Sequence, residues 1–85
     1  MTQKGRTKDE SFMMALYDLA LNQGALDTSI DRYEVGTAAA MQKTAIDTIC
    51  KQLLRTNFIR VGEESHQVYL TPHGLKLVES LHRDL

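Results

Sequence analysis

The sequence predicts a mainly helical α+β domain that carries one small β-hairpin. Apolar residues recur at three- and four-residue steps in three segments, and a capping pattern marks a fourth. After residue 57 the pattern changes to short runs typical of strands. With 85 residues, 42% of them hydrophobic and 25% charged, the chain has the length and composition of one small globular domain.

A capping pattern predicts the start of the first helix. Thr7-Lys8-Asp9-Glu10 has capping-box spacing, in which the threonine hydroxyl accepts a backbone amide and the glutamate reaches back. Gly24 suits the left-handed conformation that ends a helix, so we expect this helix over about 8–23. Residues 1–6 are expected to form a flexible basic tail outside a single domain over 7–85.

Only a few residues separate the second helix from the third. Asp31-Arg32-Tyr33-Glu34 repeats the capping-box spacing and predicts a short helix over about 32–39. The third helix, about 43–56, is predicted because its apolar and polar residues fall on opposite faces. Its apolar face consists of Ala45, Ile46, Ile49, Cys50, Leu53 and Leu54.

A hairpin and a last helix follow. Two short runs rich in β-branched and aromatic residues predict strands over about 58–61 and 67–70, joined by a polar turn. Thr71-Pro72 is typical of a helix start, with threonine as the cap and proline at the first helical position, where its missing amide costs nothing. We therefore expect a last helix over about 72–84.

This element order and two motifs resemble the winged helix-turn-helix family, and the resemblance covers about residues 8–84. Residues 35–46 resemble its second helix, turn and start of the recognition helix. Asn57-Phe58-Ile59-Arg60 resembles the Gly-Leu-Ile-Arg that leads into the wing, and Leu70-Thr71-Pro72-His73-Gly74 resembles the Leu-Thr-x-x-Gly that closes it in MarR-like and PadR-like bacterial regulators. The resemblance implies a three-helix core, a two-stranded wing and a C-terminal helix.

Four positions depart from the family's pattern. Gly36 stands where alanine is usual, and glycine costs a helix ~1 kcal/mol relative to alanine. Ala40 holds a turn position often occupied by glycine, and Gln42 replaces the usual serine or threonine cap. Asn57 replaces a glycine and tolerates the same left-handed backbone.

The resemblance implies sequence-specific binding of duplex DNA by a small transcriptional regulator, with helix 43–56 in the major groove. Residues 42–60 hold four basic side chains against one acid, although the whole chain has a net charge of −1. Early outward residues would face base edges, and later basic residues would contact phosphates. The base-facing candidates are Gln42, Lys43, Thr44, Asp47 and Thr48, and the phosphate-contacting candidates are Lys51, Arg55 and Arg60.

The predicted wing favours a different class of function. Its turn carries Glu63 and Glu64, which would face phosphates unfavourably, and its tip continues with Ser65, His66 and Gln67. Winged helices also mediate protein contacts, so a protein-interaction module that does not bind DNA stays open as the alternative. An acidic turn that only increases solubility is a further interpretation of the same residues.

Two further partner hypotheses concern the ends of the chain. Lys4, Arg6 and Lys8 could act as an arm that seeks phosphate, although a tail without function is the favoured interpretation of these residues. We predict a homodimer through the first and last helices, as the resemblance to small bacterial winged helices implies.

Several function classes are not expected. Cys50 falls on an apolar helix face, and His66, His73 and His82 lack the spacing of a zinc site, so we predict no enzyme, no catalytic residues, no metal and no cofactor. No apolar run approaches the ~20 residues of a membrane span, and a signal peptide is not expected. A single cysteine favours a reducing, cytoplasmic location.

Overall fold

Four helices and three short strands make up residues 7–83, the part of the chain that the computed structural model describes. The predicted α+β class is confirmed, and the arrangement is consistent with a winged-helix-like fold. The tail expected over residues 1–6 lies outside the described residues. In chain order the elements are α1 (Lys8–Gln23), β1 (Ile30–Asp31), α2 (Arg32–Ala38), α3 (Lys43–Arg55), β2 (Ile59–Val61), β3 (Gln67–Leu70) and α4 (Pro72–Arg83).

The sheet has three antiparallel strands, one more than the two-stranded wing that the sequence predicts. β3 lies in the centre, with β1 on one side and β2 on the other. Val68 of β3 is in register with Ile30 of β1 and with Val61 of β2. β1 has only two residues, which is too short to produce an alternating pattern in the sequence. It places the start of α2 directly beside the hairpin.

The first and last helices are capped as the sequence predicts. At α1, the Glu10 amide donates to the Thr7 hydroxyl at 3.3 Å, and the Thr7 amide donates to the Glu10 carboxylate at 3.1 Å. At α4, the Gly74 amide donates to the Thr71 hydroxyl at 3.0 Å. The same hydroxyl donates to the Asn57 carbonyl at 2.7 Å, so Thr71 joins the start of α4 to the segment that follows α3.

The second predicted capping box forms only in part among the described residues. The Asp31 side chain accepts the Tyr33 amide at 2.9 Å, whereas Glu34 is exposed. The Asp31 backbone belongs to β1, so the residue ends a strand and begins a helix at once.

One apolar core lies between the helices and the sheet. Ala45 and Leu54, which the sequence placed on the apolar face of α3, are only half-buried at its margin. The buried core consists of Phe12, Met13, Leu16, Ala20, Ile30, Val35, Ile46, Ile49, Cys50, Leu53, Ile59, Val68, Leu70 and Val78.

Close packing between α2 and α3 fixes the position of α3. Gly36 is buried, and a Cβ at that position would overlap the side chain of Ile46 on α3. The glycine therefore permits a close approach of the two helices. From the sequence alone, this glycine was predicted only to destabilise α2. Ala40 and Asn57 take left-handed backbones, with φ of 60° and 66°, at the two turns that flank α3.

Candidate nucleic-acid interface

The outward face of α3 presents two hydroxyls followed by two cations. Thr44, Thr48, Lys51 and Arg55 are spaced by four, three and four residues, so they share one side of the helix, and all four are exposed. The Thr48 hydroxyl donates to the Thr44 carbonyl at 3.1 Å, and its oxygen keeps lone pairs that can accept from a partner because the side chain is exposed. The opposite side of α3 is buried, so this row is the surface that α3 offers to a partner.

Gln42 lies at the start of this row. It is the N-cap residue of α3 but makes no side-chain cap hydrogen bond, and it is exposed. The missing cap expected from the sequence is therefore confirmed. Its side-chain amide stays available, and the first-turn amides of α3 receive no side-chain acceptor from it.

Tyr33, Lys43 and Asp47 form a cluster on the side of α3 that faces α2, which we call the Tyr33 cluster. The Tyr33 hydroxyl donates to Asp47 Oδ1 at 2.7 Å, and Lys43 Nζ lies 5.4 Å from the centroid of the tyrosine ring, within cation–π range. The hydrogen bond to Asp47 raises the pKa of Tyr33 above its ordinary value, with burial as the next cause. The shift makes the hydroxyl harder to deprotonate, so it serves as the donor in its hydrogen bond to Asp47.

The Tyr33 cluster divides the five base-facing candidates into two groups. Gln42 at the N-cap of α3, and Thr44 and Thr48 on the helix, are exposed. Lys43 is exposed as well, but its ammonium lies over the ring of Tyr33 on α2, and the half-buried Asp47 accepts the Tyr33 hydroxyl. Sequence reasoning missed Tyr33 because the residue lies 14 positions before Asp47 and no local pattern joins the two. The sequence indicated only that Lys43 and Asp47 are neighbours, because they lie four residues apart on one helix.

A groove of about 330 Å³ lies between the first turn of α1 and α3. Its floor includes Ala45 and Ile49, and Thr44 and Thr48 line it from α3. Lys8 lines it from α1, so this lysine lies beside two of the base-facing candidates. The structure thus assigns to the α3 surface a cation that the sequence had grouped with the N-terminal arm.

The three phosphate-contacting candidates lie on two adjacent elements. Lys51 and Arg55 are exposed on α3, and Arg60 is exposed on the edge strand β2, in register with Tyr69. Arg60 is therefore held by a ladder rather than by a mobile loop.

The wing turn, residues 62–66, is tied to the start of α2. Arg32 Nη2 donates to the Ser65 carbonyl at 2.8 Å, and Arg32 Nε donates to the His66 carbonyl at 3.3 Å. The Arg32 amide also donates to the His66 carbonyl at 2.9 Å. The three bonds fix the backbone of the turn against α2, while Glu63 and Glu64 stay exposed.

The remaining wing-tip candidate, Gln67, serves the turn itself. Its side-chain oxygen accepts the Glu64 amide at 3.4 Å, and its carbonyl accepts the Gly62 amide at 2.8 Å. Gly62 also lies against Ser29, because a Cβ there would overlap the serine side chain. The wing turn is thus closed by its own residues and by its neighbours.

Three other titratable residues, Cys50, His73 and His82, lie outside these surfaces and contact neighbouring side chains of the fold. Cys50 is fully buried, and burial raises the pKa of its thiol to about 11. His73 stacks on Phe58 with ring centroids 4.4 Å apart, and His82 packs edge-on against Tyr17 at 4.9 Å. Over residues 7–83, no three histidine, cysteine or acidic side chains gather closely enough to hold a metal ion. In the same range, every helix is too short or too polar to cross a membrane.

Comparison with known proteins adds no family to this geometry. No family model matches the chain, and no characterised protein shows significant sequence similarity to it.

Proposed function

We propose that this domain binds duplex DNA through the outward face of α3 and acts as a small transcriptional regulator. The observation that carries the proposal is the exposed row of Thr44, Thr48, Lys51 and Arg55 on a helix whose only acid, Asp47, is held by Tyr33. An exposed helix with hydroxyls at one end and cations at the other suits a groove lined by base edges and flanked by phosphates.

The proposal gives the residues two different tasks. An α-helix with its side chains is about 10–12 Å across, which fits a major groove about 12 Å wide. Gln42, Thr44 and Thr48 contact base edges, where glutamine suits adenine and the threonine methyl suits thymine. Phosphate contacts come from Lys51 and Arg55 on α3, Arg60 on β2 and Lys8 on α1, and they hold the protein in register without reading sequence.

The first test is binding to random duplex DNA, measured by fluorescence anisotropy at 50 and 200 mM salt. Contact with several phosphates lowers the affinity by orders of magnitude between these two salt concentrations, because each contact releases condensed counterions. Absence of binding at high micromolar protein in 50 mM salt would overturn the proposal.

Two single variants then separate the two tasks. Thr44→Ala is expected to change the preference among DNA sequences, whereas Lys51→Ala is expected to weaken binding to all of them about equally. Lys76→Ala is the control, because Lys76 is exposed on α4 and takes no part in the proposed DNA contact.

The wing turn favours a second candidate function, a protein-interaction module. Glu63 and Glu64 are exposed on a backbone that Arg32 fixes, which makes the turn a rigid acidic surface. Such a surface would repel phosphate and would suit a basic patch on another protein. If the anisotropy test finds no DNA binding, capture of a partner that Glu63→Lys abolishes would establish this function instead.

A homodimer through α1 and α4 and a cytoplasmic location belong to the same proposal. A two-fold dimer would set two copies of α3 about 34 Å apart, one turn of DNA. Leu21, which is 53% exposed near the end of α1, is one apolar side chain available for the contact. A mass of 9.6 kDa in solution at tens of micromolar would show a monomer that contacts one half-site. The single buried cysteine supports the location.

A further inference from the structure

We infer that Tyr33 is a positioning residue that keeps the carboxylate of Asp47 away from DNA and so determines which side chains of α3 contact the bases. The inference rests on the proposed function and adds a residue of α2 to the interface. It also removes Asp47 from the set of residues that read the sequence.

The geometry shows how the carboxylate is held. Asp47 follows Thr44 by three residues and Thr48 follows Asp47 directly, so the acid lies at the edge of the face that presents the two threonines. The Tyr33 hydroxyl reaches it from α2 with a hydrogen bond of 2.7 Å. Tyr33 itself is fixed at the second position of α2, where its amide donates to the Asp31 side chain.

A carboxylate at this position has two effects on DNA binding if it is released. It repels the phosphates that flank the groove, and it accepts a hydrogen bond from the amino group of cytosine. The hydrogen bond from Tyr33 opposes both effects, because it directs the carboxylate toward α2 and occupies one of its acceptor positions.

Lys43 is the other charged member of the Tyr33 cluster, and it does not replace the hydroxyl. Its ammonium lies over the tyrosine ring rather than on the carboxylate. A lysine four residues before an acid is also the weaker orientation for an ion pair along a helix. The hydroxyl is therefore the group to remove.

The experiment compares four proteins on random and selected duplexes at 50 and 200 mM salt: wild type, Tyr33→Phe, Asp47→Asn and the double variant. We expect Tyr33→Phe to bind random duplex about fivefold more weakly than wild type at 50 mM salt, as one released charge near phosphate would give. The loss should shrink at 200 mM salt, because screening reduces repulsion between exposed charges. The selected sites should shift toward cytosine opposite the released acid.

Asp47→Asn supplies the decisive comparison. We expect it to bind at least as tightly as wild type and to cancel the effect of Tyr33→Phe, so that the double variant behaves like Asp47→Asn alone. Tyr17→Phe is the matched control, since it makes the same chemical change on α1, outside the Tyr33 cluster. Compared with wild type at the same mass in solution, so that the proposed α1–α4 contact is unchanged, it should leave DNA binding unchanged.

Three outcomes would overturn the inference while wild-type binding remains intact. Tyr33→Phe could leave affinity and sequence preference unchanged, or it could weaken binding equally with and without the Asp47→Asn substitution, as a purely structural role would. A thermal unfolding midpoint that falls in Tyr33→Phe and accounts for the lost affinity would also overturn it. Failure of the wild type to bind DNA overturns the proposed function itself, which is a separate result.

Discussion

The outward face of α3 and the wing turn are both exposed and polar, yet they are built in opposite ways. On α3 the acid Asp47 is tied to Tyr33 and the cations Lys51 and Arg55 are exposed. On the wing turn the cation Arg32 is tied to backbone carbonyls and the acids are exposed. On each surface, hydrogen bonds within the chain hold a side chain of one charge sign, and side chains of the opposite sign are exposed. A net charge near zero thus conceals two surfaces that would attract opposite partners.

Removing the cations of α3 is the strongest way to break this contrast. We expect Lys51→Ala combined with Arg55→Ala to weaken binding to random duplex DNA by about tenfold or more, because two phosphate contacts are lost. The slope of log affinity against log salt should decrease in magnitude by about 1.8, which anisotropy titrations at several salt concentrations would measure.

The matched control removes the same two charges from α4. Lys76→Ala combined with Arg83→Ala changes the net charge identically, and both residues are exposed on α4, outside the proposed DNA contact. The masses of the two double variants in solution are compared, so that a change in the proposed α1–α4 contact is not counted as an effect of charge. If the two double variants lose equal affinity, total charge and not the face of α3 governs binding.

A change at the packing contact between α2 and α3 gives the next largest expected effect. We expect Gly36→Ala to destabilise the fold by about 1–3 kcal/mol, because the added methyl group overlaps Ile46 in the core. Urea unfolding followed by circular dichroism would measure the loss. The change should also weaken DNA binding by moving α3, while it leaves the hydrogen bonds of Arg32 to the wing turn in place.

Ala40→Gly is the companion variant with the opposite sign. Ala40 has a φ of 60°, which glycine adopts without the strain of a Cβ, so we expect a gain of about 0.5–1 kcal/mol in the free energy of unfolding. Reversed signs, with Gly36→Ala stabilising and Ala40→Gly destabilising, would mean that the intrinsic backbone preference of glycine, and not packing or the left-handed φ, decides stability at these two positions.

The sequence predicted the helices and the hairpin because their signals are local. The capping box at Thr7 and the Thr71-Pro72 start depend on residues within a few positions, and both helices begin where these patterns put them. The apolar period of α3 is equally local, since it needs only one helix and one core.

The remaining features depend on residues that are far apart in the sequence. Gly36 shows its purpose only beside Ile46, and Asp47 is withdrawn by a tyrosine 14 residues earlier. Arg32 reaches a turn more than 30 residues later, and β1 exists only because β3 pairs with it. No period or motif contains such pairs. The sequence could therefore predict which side chains α3 carries, but not which of them are held by contacts with other elements.

Reversing the charge of the wing turn gives the smallest expected effect. This change tests the comparison between α3 and the wing turn at the wing turn itself. We expect Glu63→Lys combined with Glu64→Lys to raise DNA affinity by less than about threefold at 200 mM salt. The turn is held against α2, and charges farther from phosphate than the Debye length of roughly 8 Å are largely screened. Anisotropy against the wild type would measure the change.

Asp18→Lys combined with Glu79→Lys is the control for this reversal, because both acids are exposed on α1 and α4, outside the proposed DNA contact. Its mass in solution must match that of wild type, which shows that the proposed α1–α4 contact is unchanged. A rise well above that of the control would place the wing turn near phosphate. It would also remove the main argument for a protein partner.

Cys50 is a natural reporter of local unfolding in this small domain. The thiol lies on the core side of α3 with no exposed surface, so a thiol reagent can label it only in conformations where α3 has separated from the core. Its pKa of about 11 in the fold exceeds the value of 9.0 for an exposed thiol. Between these two pH values the unfolded chain releases a proton that the folded chain keeps, so stability falls as pH rises through that window. The labelling rate at one native cysteine would therefore time the release of the helix that we propose to contact DNA.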